Sequence, residues 1–323
     1  HTDTPLRLVR DKSFDLSEYH ESYGKIDIPR MKEGRLDAVF FGVFLGQGKR
    51  DEAGKEEAKK RALNIISVVD SSINANNKLA SKALSASDAG QIKKENKAAV
   101  YLGMENGYPV GTDLSNVKEF YDLGVRYITL CHSENNDICD SSTDPEGPEF
   151  NGLSKFGEEV VREMNKLGMM VDISHVSDST FYDVLKITKV PVIASHSNAY
   201  ELRNHPRNIS DEMLKALAQN GGVIQVCFLT DYLIKTEPNP ELEKALDSLR
   251  KKYSAYPDLS EERRKKMYAE WEEVNNRYEK KLAAVKDLAD HIDHVVKVAG
   301  IDHVGIGSDF DGGGELKDCY DVS

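Results

Sequence analysis

The chain has 323 residues, a formal net charge of −12 and a mean hydropathy of −0.53. This acidic balance argues against nucleic acid and against an anionic membrane surface as partners, and no apolar stretch is long enough to span a membrane. The four cysteines form no CxxC pair, so we predict no disulfide framework. The length fits one β/α barrel with insertions and requires no second domain.

Strand and helix patterns alternate along the chain. Apolar, β-branched runs predict strands at 37–43, 98–104, 125–131, 168–174, 190–195, 222–228 and 303–308, and a truncated strand at the first residues makes eight. Helical periodicity lies between them at 51–73, 116–124, 155–168, 178–187, 210–222 and 288–300. Parallel strands are joined through helices, so this alternation predicts a closed (β/α)8 TIM-like barrel.

The segment 235–276 departs from this alternation. It is dense in Glu, Lys and Arg and contains the only tryptophan, Trp271. Because the charges are mixed, we interpret it as a solvated helical hairpin inserted before the last helix and strand, and not as a nucleic-acid or coiled-coil segment. A lid or a subunit contact is the alternative. We expect residues 1–323 to form a single barrel domain that lacks residues at both ends.

Polar residues close many of the predicted strands. They are His1, Asp3, Glu105, His132, His175, His196 and Asp309. Because the carboxyl ends of barrel strands converge on one face, we expect these side chains to form one site. His175 and His196 follow neighbouring strands and together indicate metal ligands, although either one alone would favour a hydrogen-bonded core histidine.

Carboxylates supply the rest of the predicted site. Glu105 follows an apolar run, and its two oxygens can join two cations, a solvated loop carboxylate being the alternative. Asp172 lies inside a predicted strand shortly before His175, and we assign it to orient an imidazole. Asp309 closes the last strand, and Asp311 either competes with it for a catalytic role or caps a turn.

Seven motifs in this order resemble the membrane dipeptidase family, the renal-dipeptidase-like zinc peptidases, over almost the whole chain. The motifs are "HTD" (1–3), "GMENG" (103–107), "LCHSENN" (130–136), "LGMMVDISHVS" (167–177), "PVIASHSNA" (191–199), "HPRNISD" (205–211) and "VGIGSDFDG" (304–312). Seven ordered motifs are a specific signal, whereas any one alone would be weak. The resemblance implies a barrel that binds two zinc ions and hydrolyses dipeptides, and it suggests a homodimer.

The resemblance also implies how the metal ions are held. The ligands are His1 and Asp3 for the first zinc ion, Glu105 as the bridge, and His175 and His196 for the second ion. In this arrangement a metal-bridged hydroxide attacks the peptide carbonyl.

Three further roles follow from the resemblance. Asp309 transfers a proton to the leaving amine, and His132 contacts the oxygen of the scissile carbonyl. Arg207 holds the terminal carboxylate of the substrate, which suits its planar guanidinium. Arg203 and His205 compete with Arg207 by residue type, and the "HPRN" motif decides for Arg207.

Two other functions are alternatives to a dipeptidase. Another barrel metallohydrolase, of the amidohydrolase or lactonase type, typically has H-x-H and often a bridging lysine, whereas this chain has H-x-D and Glu105. A non-catalytic barrel binding protein would be marked by a lost ligand, and every expected ligand is present. The start at His1 resembles a trimmed mature protein, which favours an exported location over a cytoplasmic one.

Overall fold

The computed structural model of the protein describes residues 1–20, 24–237, 239–253, 261–278 and 281–323. Its contacts divide the chain into two compact units. The larger unit comprises His1–Ile234 and Ala283–Ser323, and the smaller one Lys235–Leu282.

Parallel strands form the centre of the larger unit. The strands are β1 (Ala38–Phe44), β2 (Ala80–Lys82), β3 (Ala98–Glu105), β4 (Val125–Thr129), β5 (Met170–Asp172), β6 (Ile193–Ser197), β7 (Val223–Val226) and β8 (Val304–Ile306). They follow the order β1-β3-β4-β5-β6-β7-β8, and β2 pairs beside the first residues of β3. All eight residues of β3 are buried, as in a parallel strand covered on both faces.

The first residues of the chain occupy the position between the two ends of this sheet. Thr2 forms parallel bridges with Phe41 in β1 and with Phe310 beyond β8. The Thr2 N–H donates to the Phe40 carbonyl at 3.0 Å, and the Thr2 carbonyl accepts the Gly42 N–H at 2.8 Å. Together with the seven strands of the ordered path, this segment supplies the eighth position, and the predicted (β/α)8 barrel is confirmed.

Helices connect the strands. In the larger unit they are α1 (Thr4–Arg10), α2 (Ile28–Glu33), α3 (Glu52–Ala75), α4 (Ala86–Lys94), α5 (Ser115–Asp122), α6 (Lys155–Leu167), α7 (Asp178–Ile187), α8 (Asp211–Asn220), α9 (Thr230–Leu233) and α12 (Val285–Ala299). Their ends follow from local chemistry. For example, the Ser154 hydroxyl accepts the Gly157 N–H at the start of α6, and Gly168 ends that helix with a φ of 78°.

The sequence did not predict several short elements. Strand β2 has only three residues, Ala-Ser-Lys, which show no alternation of apolar and polar side chains. Helix α4 begins at a capping box formed by Ser85 and Asp88, but Ile92 is its only buried residue, so its apolar periodicity is weak. Several strands are also shorter than predicted, because the last residues of the apolar runs turn out of the sheet.

The described helices of the smaller unit are α10 (Pro240–Lys252) and α11 (Glu261–Arg277). They occupy the predicted insertion, 235–276, and α11 extends one residue beyond it. Leu249, Tyr253 and Met267 form the apolar core of the smaller unit. An ion pair of 2.5 Å joins Lys252 Nζ to Glu270 Oε2. Residues 238 and 254–260 of the predicted insertion lie outside the described residues. Among the described helices of the whole chain, none has the length and hydropathy required to cross a membrane.

Candidate metal centre

Glu105, the last residue of β3, lies at the centre of a buried cluster of polar side chains. Its Oε2 lies 3.2 Å from His1 Nε2. Its Oε1 lies 3.1 Å from His175 Nε2 and 3.3 Å from His196 Nε2. The two oxygens of one carboxylate therefore face different histidines, one from the start of the chain and two from the loops and strands around β5 and β6.

The first residues of the chain form one side of the cluster. His1 Nε2 lies 3.5 Å from Asp3 Oδ1 and 3.8 Å from Asp309 Oδ1. Gly42 makes room for them, because a Cβ added there would lie 2.7 Å from Asp3 Oδ1 and 2.8 Å from His1 Cε1. Thus the position of β1 that faces His1 and Asp3 carries no side chain.

His175 and His196 form the other side. Their Nε2 atoms lie 2.8 Å apart. His196 belongs to β6, whereas His175 follows the end of β5 and has a φ of 71°. The left-handed region is sparsely populated by residues other than glycine, so this backbone stores strain at the point where the imidazole enters the site.

Burial sets the protonation of these groups in the absence of metal. Burial lowers the pKa of His196 to about 4 and the pKa of His175 well below its usual value. Burial opposes the ionisation of Glu105, but the nearby charge of His1 counteracts it, and the pKa of the carboxyl lies well below its usual value. Neutral imidazoles and an ionised carboxylate are the forms that bind metal.

The pKa values of the Asp3 and Asp309 carboxyls are raised, in contrast to that of Glu105. Burial, followed by the charge of Glu105, raises the pKa of Asp3 to about 6. Burial, followed by the charge of Asp3, raises the pKa of Asp309 well above its usual value. Both carboxyls therefore hold their protons to a higher pH than exposed aspartates do.

The donor atoms of the cluster fit divalent metal ions. Three overlapping groups each place their ligand atoms within 4.8 Å of one another, and these groups are His1–Glu105–His196, Glu105–His132–His175 and His1–Asp3–Asp309. His1 Nε2 and Asp3 Oδ1 are buried and have no hydrogen-bond partner among the described residues. Nitrogen and carboxylate oxygen ligands suit zinc, and a cation would satisfy both orphaned atoms.

His132 lies on the accessible side of the cluster. Its side chain is 24% exposed, whereas that of Glu105 is 4% exposed. His132 Nε2 lies 3.7 Å from Glu105 Oε1, and its ring contacts the edge of the Phe44 ring at a centroid distance of 4.8 Å. Burial lowers the pKa of His132, so its imidazole is held neutral.

Arg207 is buried beside the cluster. Its Nη2 donates to the His196 carbonyl at 3.0 Å, and its guanidinium lies 5.2 Å from the centre of the Tyr232 ring. Arg203 instead donates to the carbonyls of Asp231 and Ile234. The His205 ring lies 4.7 Å from the Tyr232 ring, centre to centre, and is tilted by 42° against it.

Asp311, the predicted competitor of Asp309, makes structural contacts instead. It accepts hydrogen bonds from the Thr4 hydroxyl at 2.8 Å and from the Lys25 N–H at 3.0 Å, and it pairs with Arg7. These contacts join the loop after β8 to helix α1 and to the residues before α2.

The sequence did not single out two contributors to the site. The Tyr127 hydroxyl bonds to His1 Nδ1 from the middle of β4, and Ser195 bonds to His196 Nδ1 from the preceding residue. A tyrosine in a buried strand carries no signal of such a contact, because the contact depends on which strands are close in space. Ser195 lies next to a predicted ligand, which could have drawn attention to it.

Comparison with known proteins identifies the family of the chain. The sequence model of the membrane dipeptidase family, peptidase family M19, matches residues 1–323. The chain is 34% identical over 325 residues to the uncharacterised dipeptidase C965.12 of Schizosaccharomyces pombe, covering 97% of this chain and 68% of that protein. It is 33% identical over 293 residues to dipeptidase tcpJ of Claviceps purpurea, covering 90% of this chain and 59%, less than two-thirds, of that protein.

A solved structure shows the same relationship. The crystal structure of the probable dipeptidase PvdM from Pseudomonas aeruginosa has a TM-score of 0.78 and 28% identity, and covers 94% of this chain and 81% of that one. The family match extends over the whole chain, and the ordered motifs predicted the same family. The chain belongs to the membrane dipeptidase family M19, a family of metal-dependent enzymes that hydrolyse peptide bonds.

Proposed function

We propose that the chain is a zinc-dependent dipeptidase that holds two zinc ions on either side of Glu105. One observation carries this proposal: the two oxygens of the Glu105 carboxylate face different histidines. Oε2 faces His1, and Oε1 faces His175 and His196. His1 and Asp3 would bind one ion, and His175 and His196 the other. Two zinc ions bound there would lower the pKa of a water molecule between them and polarise the carbonyl of the peptide.

The protein's own side chains would then direct the reaction. His132 is partly exposed and neutral, so its imidazole can donate a hydrogen bond to the carbonyl oxygen as negative charge develops there. Asp309 lies close to His1 and can take a proton from the attacking water and deliver it to the leaving amine.

Arg207 would select dipeptides. Its guanidinium is fixed to the carbonyl of His196, and its Nε has no hydrogen-bond partner among the described residues. A free carboxylate on the substrate can pair with this fork. The Arg207 guanidinium is bonded to the backbone of His196, a predicted zinc ligand, so its distance from the scissile bond is fixed. A substrate carboxylate bound to Arg207 would therefore lie at a set distance from that bond, and longer peptides would not fit.

The first test is hydrolysis of a panel of dipeptides by zinc-loaded and by chelated protein, with C-terminally amidated dipeptides alongside. We expect zinc-dependent cleavage of the free dipeptides and little cleavage of the amides. Equal cleavage of amides and free acids would contradict the carboxylate clamp. No cleavage by a folded protein with two zinc ions would contradict the dipeptidase activity.

Arg207→Ala tests the clamp directly. We expect a higher KM for dipeptides, because a charge-assisted pair of about 1.5–3 kcal/mol is lost. Arg203→Ala is the matched control, since Arg203 lies in the same segment but bonds to backbone carbonyls. Unchanged kinetics in Arg207→Ala would remove this role.

A further inference from the structure

Asp172 lies at the end of β5 and is completely buried. Its Oδ1 accepts the N–H groups of Ser174 at 3.0 Å and Ser195 at 2.9 Å. Its Oδ2 accepts the Ser195 hydroxyl at 2.6 Å and the Thr129 hydroxyl. The carboxylate is thus surrounded by donors from three neighbouring strands or their ends.

The Ser195 hydroxyl connects this carboxylate to His196. A hydroxyl has one proton, and the Ser195 hydroxyl donates it to Asp172 Oδ2. Ser195 Oγ also lies 2.8 Å from His196 Nδ1. Since the serine proton is already used, Oγ accepts this second bond and His196 Nδ1 carries the hydrogen.

The consequence concerns the other nitrogen of the ring. A neutral imidazole protonated at Nδ1 has a lone pair at Nε2. His196 Nε2 is the atom that faces Glu105 Oε1 at 3.3 Å and His175 Nε2 at 2.8 Å. The lone pair therefore points into the cluster.

We propose that Asp172 is a positioning residue that fixes the tautomer of His196 through the Ser195 hydroxyl, so that Nε2 is ready to bind zinc. The inference rests on the proposed zinc site and deepens it. Hydrogen bonds of this kind fix the orientation and raise the basicity of metal-binding histidines.

The other two histidines lack such a chain of bonds. His175 Nδ1 is buried and has no hydrogen-bond partner among the described residues. His1 Nδ1 bonds to the Tyr127 hydroxyl, which can either donate or accept and so does not select a tautomer. Asp172 therefore acts on His196 specifically.

In the variant Asp172→Asn, the donors and acceptors between residue 172, Ser195 and His196 should exchange roles. The two backbone N–H groups at Oδ1 require an acceptor there, so the amide oxygen takes that position and the amide nitrogen takes the position of Oδ2. The amide then donates to Ser195 Oγ, which releases the serine proton to His196 Nδ1. The hydrogen on the imidazole moves to Nε2, where it blocks the metal.

Two measurements follow this change. Nitrogen-15 NMR of the metal-free protein near neutral pH reports which ring nitrogen of His196 is protonated. We expect Nδ1 in the wild type and Nε2 in Asp172→Asn. Competition with a chromophoric chelator measures zinc affinity, which should fall by about 10–100-fold for the variant.

Thr129→Val is the matched control, because it removes the other hydroxyl on Oδ2 and leaves the Ser195 connection in place. It should keep the wild-type tautomer and zinc affinity. Ser195→Ala provides a second variant in case Asp172→Asn does not fold. It removes the connection without inverting it, so His196 should lose its preference for Nδ1 and zinc should bind more weakly.

The outcomes separate the two proposals. A wild-type protein that binds no zinc overturns the proposed function, while the tautomer is still read from the metal-free protein. If the wild type binds zinc, and Asp172→Asn or Ser195→Ala keeps both the Nδ1 tautomer and the wild-type affinity, the role of Asp172 is overturned alone.

Discussion

The two sides of Glu105 are held by different kinds of contact. On the side of Oε1, the Ser195 hydroxyl fixes His196 and is itself bound to Asp172. On the side of Oε2, His1 and its neighbours are placed by the backbone, because Thr2 bridges Phe41 in β1 and Phe310 in the segment after β8. The Oε1 side depends on a chain of side-chain hydrogen bonds. The Oε2 side depends mainly on strand register and on the space beside Gly42, with one side-chain hydrogen bond between Tyr127 and His1. Substitutions should therefore disturb the two sides separately.

Glu105→Ala should have the largest effect, because it removes the ligand that both sides share. We expect both metal ions to be lost and dipeptide hydrolysis to fall to background. Elemental analysis of the purified protein measures the metal content. Glu159→Ala, an exposed position on α6, is the control. Retention of two metal ions by Glu105→Ala would contradict the bridging assignment.

Gly42→Ala should disturb only the side of His1 and Asp3. The added Cβ would lie 2.7 Å from Asp3 Oδ1, so this side must shift. We expect one metal ion to be lost and the ion of His175 and His196 to remain, with a cost in stability of about 1–3 kcal/mol from overpacking.

Gly46→Ala is the control for this change, because a Cβ at Gly46 would meet nothing within 4 Å. Metal content and urea unfolding would be measured for both variants. Loss of both ions, or of neither, would show that the two sides are not independent.

Asp3→Asn tests how the stability of the His1 side depends on pH. Burial and the charge of Glu105 raise the pKa of Asp3 to about 6, above its ordinary value of 3.8. The carboxyl therefore favours the folded, metal-free protein at low pH, and this contribution is lost as the pH rises from 3.8 through about 6. The metal-free variant should be more stable than the wild type near neutral pH, by about 1–3 kcal/mol.

On the other side of Glu105, the contribution of His196 to stability depends on pH in the opposite direction. Burial lowers its pKa from 6.5 to about 4, so its contribution to stability is present above pH 6.5 and is lost as the pH falls toward 4. Urea unfolding of chelated protein across this range measures both effects. A difference between Asp3→Asn and the wild type that does not grow with pH would contradict the shift of Asp3.

Tyr127→Phe should have the smallest effect. It removes the hydroxyl that bonds to His1 Nδ1 but keeps the ring, which packs against Phe40. We expect zinc affinity to fall by about tenfold, with little change in stability. Tyr101→Phe is the control, since its hydroxyl donates to the Ser85 carbonyl at 2.8 Å, away from the cluster. Equal affinities in the two variants would show that His1 needs no partner at Nδ1.

Much of the fold and of the candidate site could be predicted because their signals are local. Glu105 directly ends an apolar strand, and the loops after β5 and β8 carry His175 and Asp309. The structure brings the predicted ligands together around Glu105, while their roles as zinc ligands remain predictions. Helix α7 has the predicted bounds, Asp178–Ile187, because a serine cap and an apolar face define it.

The remaining features depend on contacts that no local pattern records. Gly42 is needed because β1 passes beside the first residues, and the sequence around it shows only another apolar strand. The Tyr127 hydroxyl reaches His1 because Tyr127 lies opposite Gly103 in the pairing of β3 and β4, where a Cβ would collide with its ring. Such contacts follow from register, which only the folded sheet defines.

The bridge made by Thr2 also has a consequence for how the barrel opens. The Asp309 N–H donates to the His1 carbonyl at 3.1 Å, so the seam of the barrel joins segments from the beginning and the end of the sequence. Closing so long a loop costs chain entropy. A cation shared across the seam would offset that cost by mass action. Local unfolding at this seam should therefore depend on metal concentration more strongly than local unfolding elsewhere in the barrel does. Hydrogen exchange of the Thr2 and Gly42 amides measures it.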